Sequence, residues 1–330
     1  MAEAFVKVNE LELRVFGPVR SGNDAIIHWI VSLYPNEKAC FLNNPEHGGA
    51  DPYLTCRQME HYGFAPEATV EEIRGTPKRL LLYAYEDRKH LQKANTVFLD
   101  GVFDPAFEAC REAYLGRSRK QRNVLIIRDP FNCFASRMMQ VRERGSKGGI
   151  NDDFKQMAEN WKAVARRALE NDPDNDDLVI LYNHWVGNKL YRKKLAATLG
   201  GRYAKDDLDS ESLDAGGSPF GESDKKPKAL GRLLRGWHAL SLRGLRLLAW
   251  VSRSPMPVVV DTDNDLYKRW RMLRKDAQYR ELFKDPELLQ LSRALFGEIP
   301  GTGRFSASLS SDAEPDESAA YPAGIRRGRS

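Results

Sequence analysis

Cysteine is scarce in this chain of 330 residues: Cys40, Cys56, Cys110 and Cys133 lie far apart, with no Cys-x-x-Cys pair and no histidine at ligand spacing. That scarcity argues against a disulfide framework and a zinc site, and points to reduced thiols in a cytoplasm. Long apolar runs are missing too. No window reaches the ~20 residues of a membrane-spanning helix, and the opening MAEAFVKVNELEL lacks the apolar core of a secretory signal. There is no internal repeat and no large excess of charge. A net charge of +5 suits a small anionic ligand and gives no reason to expect nucleic acid as a partner. What remains is a hydrophobic content of 42% and a charged content of 29%, ordinary for a soluble globular protein. The length is ample for one large α/β domain with a buried core.

Short apolar runs alternate with helical patterns through the first 200 residues. Leu11–Phe16, Arg79–Tyr85, Thr96–Leu99, Asn123–Ile127 and Leu178–Tyr182 read as strands. Helical periodicity follows Gly22 (AIIHWIVSLY) and recurs over roughly 104–116, 132–144, 152–170 and 187–199. Continuous apolar strands separated by helices describe a parallel sheet covered on both faces. Residues 205–227 are polar and rich in Gly, Ser, Asp and Lys, as a linker is. Residues 264–297 read as helices again, with Asp285-Pro286 a strong start signal. The expected organisation is an α/β core over 1–220, an insertion over 221–263, helices over 264–300 that complete the core, and a disordered tail over 301–330.

Gly17-Pro-Val-Arg-Ser-Gly-Asn-Asp24 joins the first strand to its helix. A turn of this kind aims backbone N–H groups at one point, and the helix N-terminus adds positive potential, so it forms an anion site. The Gly17-x-x-x-x-Gly22 spacing opens like a Walker A loop. That loop continues with Lys and then Ser or Thr, whereas Asn23 and Asp24 stand here. The lysine for the terminal phosphates and the hydroxyl for Mg²⁺ are both missing, which disfavours a kinase-like enzyme using ATP. The bland reading of this turn is an ordinary strand-to-helix connection.

Asn123-Val-Leu-Ile-Ile-Arg-Asp-Pro-Phe-Asn-Cys-Phe-Ala-Ser-Arg137 carries more information. A buried strand delivers Arg128 at its carboxyl end, Pro130 stops the strand, and a helix then carries Ser136. An arginine and a hydroxyl eight positions apart can converge on one phosphate, at the edge where open α/β sheets bind ligands. The competing reading, a salt bridge from Arg128 to Asp129 or Asp100, leaves the rest of the run unexplained.

Together the two segments resemble the sulfotransferases that use 3′-phosphoadenosine-5′-phosphosulfate. PVRSGN resembles their 5′-phosphosulfate loop and the RDPFNCFAS run their 3′-phosphate motif. LYNHWVGNKLYRKKLAATLG, GGSPF and QYRELFKDPELLQLSRALFG resemble later stretches of that family, so the resemblance covers about 11–220 and 262–297. It implies a P-loop-NTPase-like α/β fold with a parallel central sheet flanked by helices and a helical C-terminal part. It further implies that Arg20 faces the bridging and sulfuryl oxygens, that Ser21, Gly22, Asn23 and Ala25 serve the 5′-phosphate, and that Arg128 and Ser136 hold the 3′-phosphate. Asp24 departs from the pattern, since the family has Thr or His there and a carboxylate repels phosphate unless it pairs with Arg20 or caps the helix.

Sulfuryl transfer requires a base and cations but no metal. The family's base stands near the end of a strand between the two phosphate motifs, which here selects Glu86, with Asp87 its neighbour and His61 and His28 weaker candidates. A carboxylate there beside a dianionic ligand suits general-base work; a surface ion pair with Arg88 or Lys89 is the competing reading. His28 and the aromatic set Trp29, Trp161 and Trp185 read as core. The partners expected are the nucleotide donor and an acceptor hydroxyl on a carbohydrate, lipid-linked glycan or small molecule.

Lys228–Trp250 contains no acidic residue and sorts into a leucine-rich face and an arginine face. The family resemblance breaks there, so it reads as an insertion. It either packs on the domain or gives a cytoplasmic protein a peripheral contact with membrane over 228–253. A non-catalytic nucleotide- or membrane-binding module of the same fold is the remaining alternative.

Overall fold

The computed structural model describes residues 8–46, 50–87, 105–144, 153–170, 177–203, 268–303 and 305–306. Among the described residues six strands form one sheet: β1 (Val8–Phe16), β2 (Ala39–Asn43), β3 (Gln58–Tyr62), β4 (Leu80–Tyr85), β5 (Arg117–Ile127) and β6 (Asp177–Leu181). Their order is β3-β2-β4-β1-β5-β6. All neighbours run parallel except β3, which is antiparallel to β2 at the edge.

The helices are α1 (Asn23–Ser32), α2 (Pro52–Thr55), α3 (Val70–Gly75), α4 (Pro105–Leu115), α5 (Pro130–Arg144), α6 (Phe154–Glu170), α7 (Tyr182–Gly187), α8 (Lys189–Leu199), α9 (Trp270–Leu273), α10 (Ala277–Leu282) and α11 (Pro286–Phe296). Side chains alternate across each strand and feed two cores. Leu13, Val15, Leu82, Val124 and Ile126 pack with Ile26, Ile27 and Ile30 of α1 and Leu195 of α8. Leu81, Tyr83, Leu125 and Ile127 pack on the other face with Phe107, Phe134, Trp161 and the C-terminal helices. Burial on both faces explains why β4 and the end of β5 read as continuous apolar runs. The chain is therefore an α/β protein with a mostly parallel central sheet flanked by helices.

Strands read from sequence at 11–16, 79–85, 123–127 and 178–182 are present with shifted ends, while Thr96–Leu99 lies outside the described residues. β5 begins six residues earlier than read, because Arg117–Arg122 pairs only with β1 and β6 joins at Asn123. Asp285 caps α11 as its sequence indicated, accepting from the amides of Glu287 (2.9 Å) and Leu288 (3.2 Å). The α11 helix is tied to α6 by Lys162 with Asp285 and by Arg166 with Glu287. Packing also extends past the expected tail boundary at 301: Phe305 is buried against Phe131, Trp270, Tyr279 and Phe283. An aromatic ring in an otherwise polar stretch finds that cluster and orders the chain that far. The insertion at 221–263 and the GGSPF stretch lie outside the described residues.

Candidate functional site

Two strand-to-helix turns lie side by side at the carboxyl edge of the sheet. β1 and β5 are direct neighbours, with Phe16 opposite Leu125, so the turns after them emerge together, where open α/β sheets bind ligands.

The first turn is held in an unusual conformation. Arg20 sits at φ 75° and Gly22 at φ 88°, both in the left-handed region. Arg20 carries a Cβ there, a strain of about 1–2 kcal/mol that surrounding bonds must offset. Gly22 satisfies two demands, since a Cβ would also fall 2.2 Å from the Tyr182 ring. Gly17 is a matter of close approach: its Cβ would lie 2.2 Å from Asn23 Oδ1. The Ser21 amide donates to Pro18 O at 3.0 Å and the helical ladder starts at Ile26 N to Gly22 O, 3.1 Å. The amides of Asn23, Asp24 and Ala25 thus belong to the first turn of α1, which lacks intrahelical acceptors.

At the second turn, Asp129 accepts from the Asn132 amide at 2.9 Å and opens α5, with Pro130 as its first residue. Asp129 is itself fixed by Asn183, which donates from Nδ2 at 2.9 Å. Asp100, the other acidic residue considered for Arg128, lies outside the described residues. The Arg128 carbonyl accepts from Trp161 Nε1 at 2.9 Å, and its guanidinium lies 5.0 Å from the centre of the Tyr182 ring.

The two turns meet at Ser136, whose buried hydroxyl accepts from Arg20 Nε at 3.0 Å and from Arg269 Nη1 at 3.1 Å. Arg269 comes from the turn before α9 and has no counterpart in the sequence reading. Burial, then repulsion from Arg128, lowers the Arg20 guanidinium below its usual range. Arg269 is pushed down to about 9 by burial, then by Arg128 and Arg20. Three guanidinium groups thus share one partly desolvated volume. Glu86 and the exposed Asp24 act on Arg20 in the opposite direction, so Asp24 serves as a counter-charge there.

Some predicted residues face inward. The fully buried Ser21 hydroxyl lies 3.7 Å from Cys133 Sγ, beneath the turn, and burial pushes the Cys133 thiol up to about 11. Asn23 uses its side-chain amide to donate to Gly17 O (3.1 Å), Pro18 O (3.2 Å) and Glu86 Oε1 (3.1 Å), closing the turn. For these two the side chains shape the loop.

Glu86 and Asp87 leave β4 on opposite sides. Glu86 accepts from Asn23 and, at 3.4 Å, from Asn44 Nδ2, while its own amide donates to Asn44 Oδ1 at 2.8 Å. Asp87 is fully buried: Oδ1 accepts from Val19 N at 2.7 Å, and Oδ2 pairs with Arg137 and accepts from Asn160 Nδ2 at 3.3 Å. Asp87 is thus a pillar under the first turn, linked to the residue that follows Ser136. His61 lies opposite Cys40, level with Leu81, which is five residues or about 16 Å short of Glu86 along the sheet. It is not placed to substitute for Glu86. His28, read as core, is instead exposed on α1 and bonds Glu60 Oε2 at 3.0 Å. Trp29, Trp161 and Trp185 are core residues. Among the described residues no cluster of three or more His, Cys, Asp or Glu could hold a metal ion, and no helix is long and apolar enough to cross a membrane.

No protein-family model matches the chain, and no curated protein does. Solved structures do. Mouse sulfotransferase SULT7A1 complexed with PAP is similar at a TM-score of 0.36 and 11% identity, over 63% of this chain and 64% of that one. The chain therefore spans less than two thirds of that protein's length. The sulfotransferase domain from the Synechococcus PCC 7002 olefin synthase is similar at a TM-score of 0.40 and 13% identity, over 87% of this chain and 94% of that one. Both structural neighbours are sulfotransferases, and the likeness is one of fold.

Proposed function

We propose that this chain is a sulfotransferase that binds 3′-phosphoadenosine-5′-phosphosulfate and moves its sulfuryl group to an acceptor hydroxyl on a carbohydrate, lipid-linked glycan or small molecule. The observation that carries the reading is the convergence of Arg20, Arg128 and Arg269 around Ser136. Burial and the neighbouring Arg128 lower both Arg20 and Arg269; such a setting calls for a multiply charged anion, and a nucleotide with phosphate groups at both ends of its ribose supplies one. In this reading Arg128, Ser136 and Arg269 take the 3′-phosphate. The backbone amides of Gly22 to Ala25 take the 5′-phosphate at the N-terminus of α1, with Ser21 holding the turn from beneath. Arg20, now bonded to Ser136, turns toward the sulfuryl and bridging oxygens.

Glu86 accepts the acceptor's hydroxyl proton as the acceptor oxygen bonds to sulfur. The bond from sulfur to the 5′-phosphate oxygen breaks, and the bisphosphate nucleotide leaves with the electron pair. Arg20 and the first-turn amides offset the charge that grows on that phosphate. We read residues 1–220 and 264–300 as one catalytic unit in a cytoplasmic protein.

A transfer assay with labelled donor and a panel of hydroxyl acceptors tests this. Glu86→Gln keeps the shape of the residue but cannot take a proton, so kcat falls by ~10²–10⁴ with donor affinity unchanged. Near-full turnover by Glu86→Gln would place the base elsewhere.

A further inference from the structure

We infer that Asn44 is the positioning residue for Glu86, fixing the direction in which that carboxylate meets the acceptor. This rests on the reading of Glu86 as the base. Asn44 is 1% exposed and stands directly after β2, which neighbours β4. It holds Glu86 at two points: Oδ1 accepts the Glu86 amide at 2.8 Å, and Nδ2 donates to Glu86 Oε2 at 3.4 Å. Its amide group is oriented in turn by Asn43, whose Oδ1 accepts from Asn44 Nδ2 at 2.6 Å. That bond leaves Oδ1, and only Oδ1, to face the Glu86 amide, because an amide nitrogen cannot accept.

The backbone is committed as well. Asn44 sits at φ 49°, a left-handed conformation that asparagine tolerates better than other residues with a Cβ. Its amide donates to Ala84 O at 2.8 Å, which continues the β2–β4 ladder one residue past Asn43. Asn44 therefore carries the sheet's rigidity to the first residue after β4. Asn23 holds the other oxygen, Oε1, from the start of α1. The carboxylate is braced from both sides, and its rotation about the last side-chain bond would cost both contacts. Arg20 is the charged group that faces Glu86 from the first turn, and Asp87 follows it on the opposite side.

Three variants of the full chain test the inference. Asn44→Gly accepts the left-handed backbone and so folds, but loses both contacts; kcat should fall ~10-fold or more while donor affinity stays within about 2-fold. Asn44→Asp keeps the acceptor for the Glu86 amide and sets a second carboxylate beside Oε2. The acid limb of the pH–rate profile, and the titration midpoint of the ¹³C-labelled Glu86 carboxyl, should both move up by about one unit or more. The Glu86 resonance is assigned by its loss in Glu86→Gln. An Asn44 that does not touch the Glu86 carboxylate would move neither. An unmoved midpoint in Asn44→Asp, or undiminished kcat in Asn44→Gly, overturns the role of Asn44. Retained turnover in Glu86→Gln instead overturns the base assignment, and the midpoint shift still reads the Asn44–Glu86 contact by itself.

Discussion

Ser136 gathers at one hydroxyl what the sequence spreads over 250 residues. Arg20 and Arg269 both donate to it. A serine hydroxyl has two lone pairs and one proton. With both lone pairs engaged by guanidinium donors, its proton remains for an anion. Ser136→Ala and Arg269→Met should each weaken binding of 3′-phosphoadenosine-5′-phosphate, the arginine change by roughly 1.5–3 kcal/mol. Neither should alter binding of adenosine 5′-phosphate, which lacks the group they hold; fluorescence or calorimetric titration with the two nucleotides decides. At this scale the site was partly legible. Arg128 and Ser136 share one segment with a strand before it and a helix after it, and that context announces their position. Arg269 does not announce itself. It sits in Lys268-Arg-Trp-Arg271, where a run of basic residues reads as surface, and only the packing of α9 on α5 brings it 133 positions back to Ser136. Asn44 was equally silent, because its role depends on β2 lying beside β4.

At the scale of elements, the pair Glu86-Asp87 shows how one strand end serves two structures. Extended backbone points consecutive side chains to opposite faces. One meets Asn23 and Asn44 and the other meets Val19, Arg137 and Asn160. The second set locks β4, the first turn, α5 and α6 into register. Removing one charge of the buried Asp87–Arg137 pair leaves the other uncompensated, a loss of about 3–5 kcal/mol, whereas removing both costs less. Urea unfolding should find Asp87→Asn and Arg137→Met each strongly destabilised and the double variant more stable than the sum of the singles predicts. Additive losses would mean that the pair is not coupled.

β1, β4, the end of β5 and β6 were legible, and most plainly β4 and the end of β5, which are buried on both faces and whose apolar residues run without a break. β2 has only a short apolar run, and β3, Gln58-Met-Glu-His-Tyr62, is half-buried at the edge and needs no apolar alternation. The start of β5 is Arg117-Ser-Arg-Lys-Gln-Arg122, which no periodicity argument would call a strand. Pairing with β1 alone makes it one, because a ladder on one side leaves the side chains free to be polar.

In the whole molecule a mostly parallel α/β sheet carries at one edge a strand-to-helix turn without Walker residues and, beside it, a guanidinium cluster. Asn23 and Asp24 occupy the positions where a Walker loop has its lysine and its Mg²⁺-binding hydroxyl. Transfer should therefore proceed in the presence of EDTA at an undiminished rate; loss of activity restored by Mg²⁺ would favour phosphoryl chemistry instead. The fold class was readable because short apolar strand signals and helical patterns recur through the first 200 residues. Helices over 264–300 were expected to complete the core, but their seating on α5 and α6 was not readable, since those contacts span more than 100 positions and leave only ordinary helical patterns in the sequence.

The central claim is that the site recognises a nucleotide by a phosphate on the ribose 3′ position. Isothermal calorimetry on the full chain, titrating 3′-phosphoadenosine-5′-phosphate and ATP into wild type and Arg128→Ala without added metal, tests it most directly. The account predicts that wild type binds the bisphosphate at least ~10-fold more tightly than ATP, and that Arg128→Ala removes this preference. Equal or tighter binding of ATP by wild type, or a preference that survives in Arg128→Ala, would contradict it.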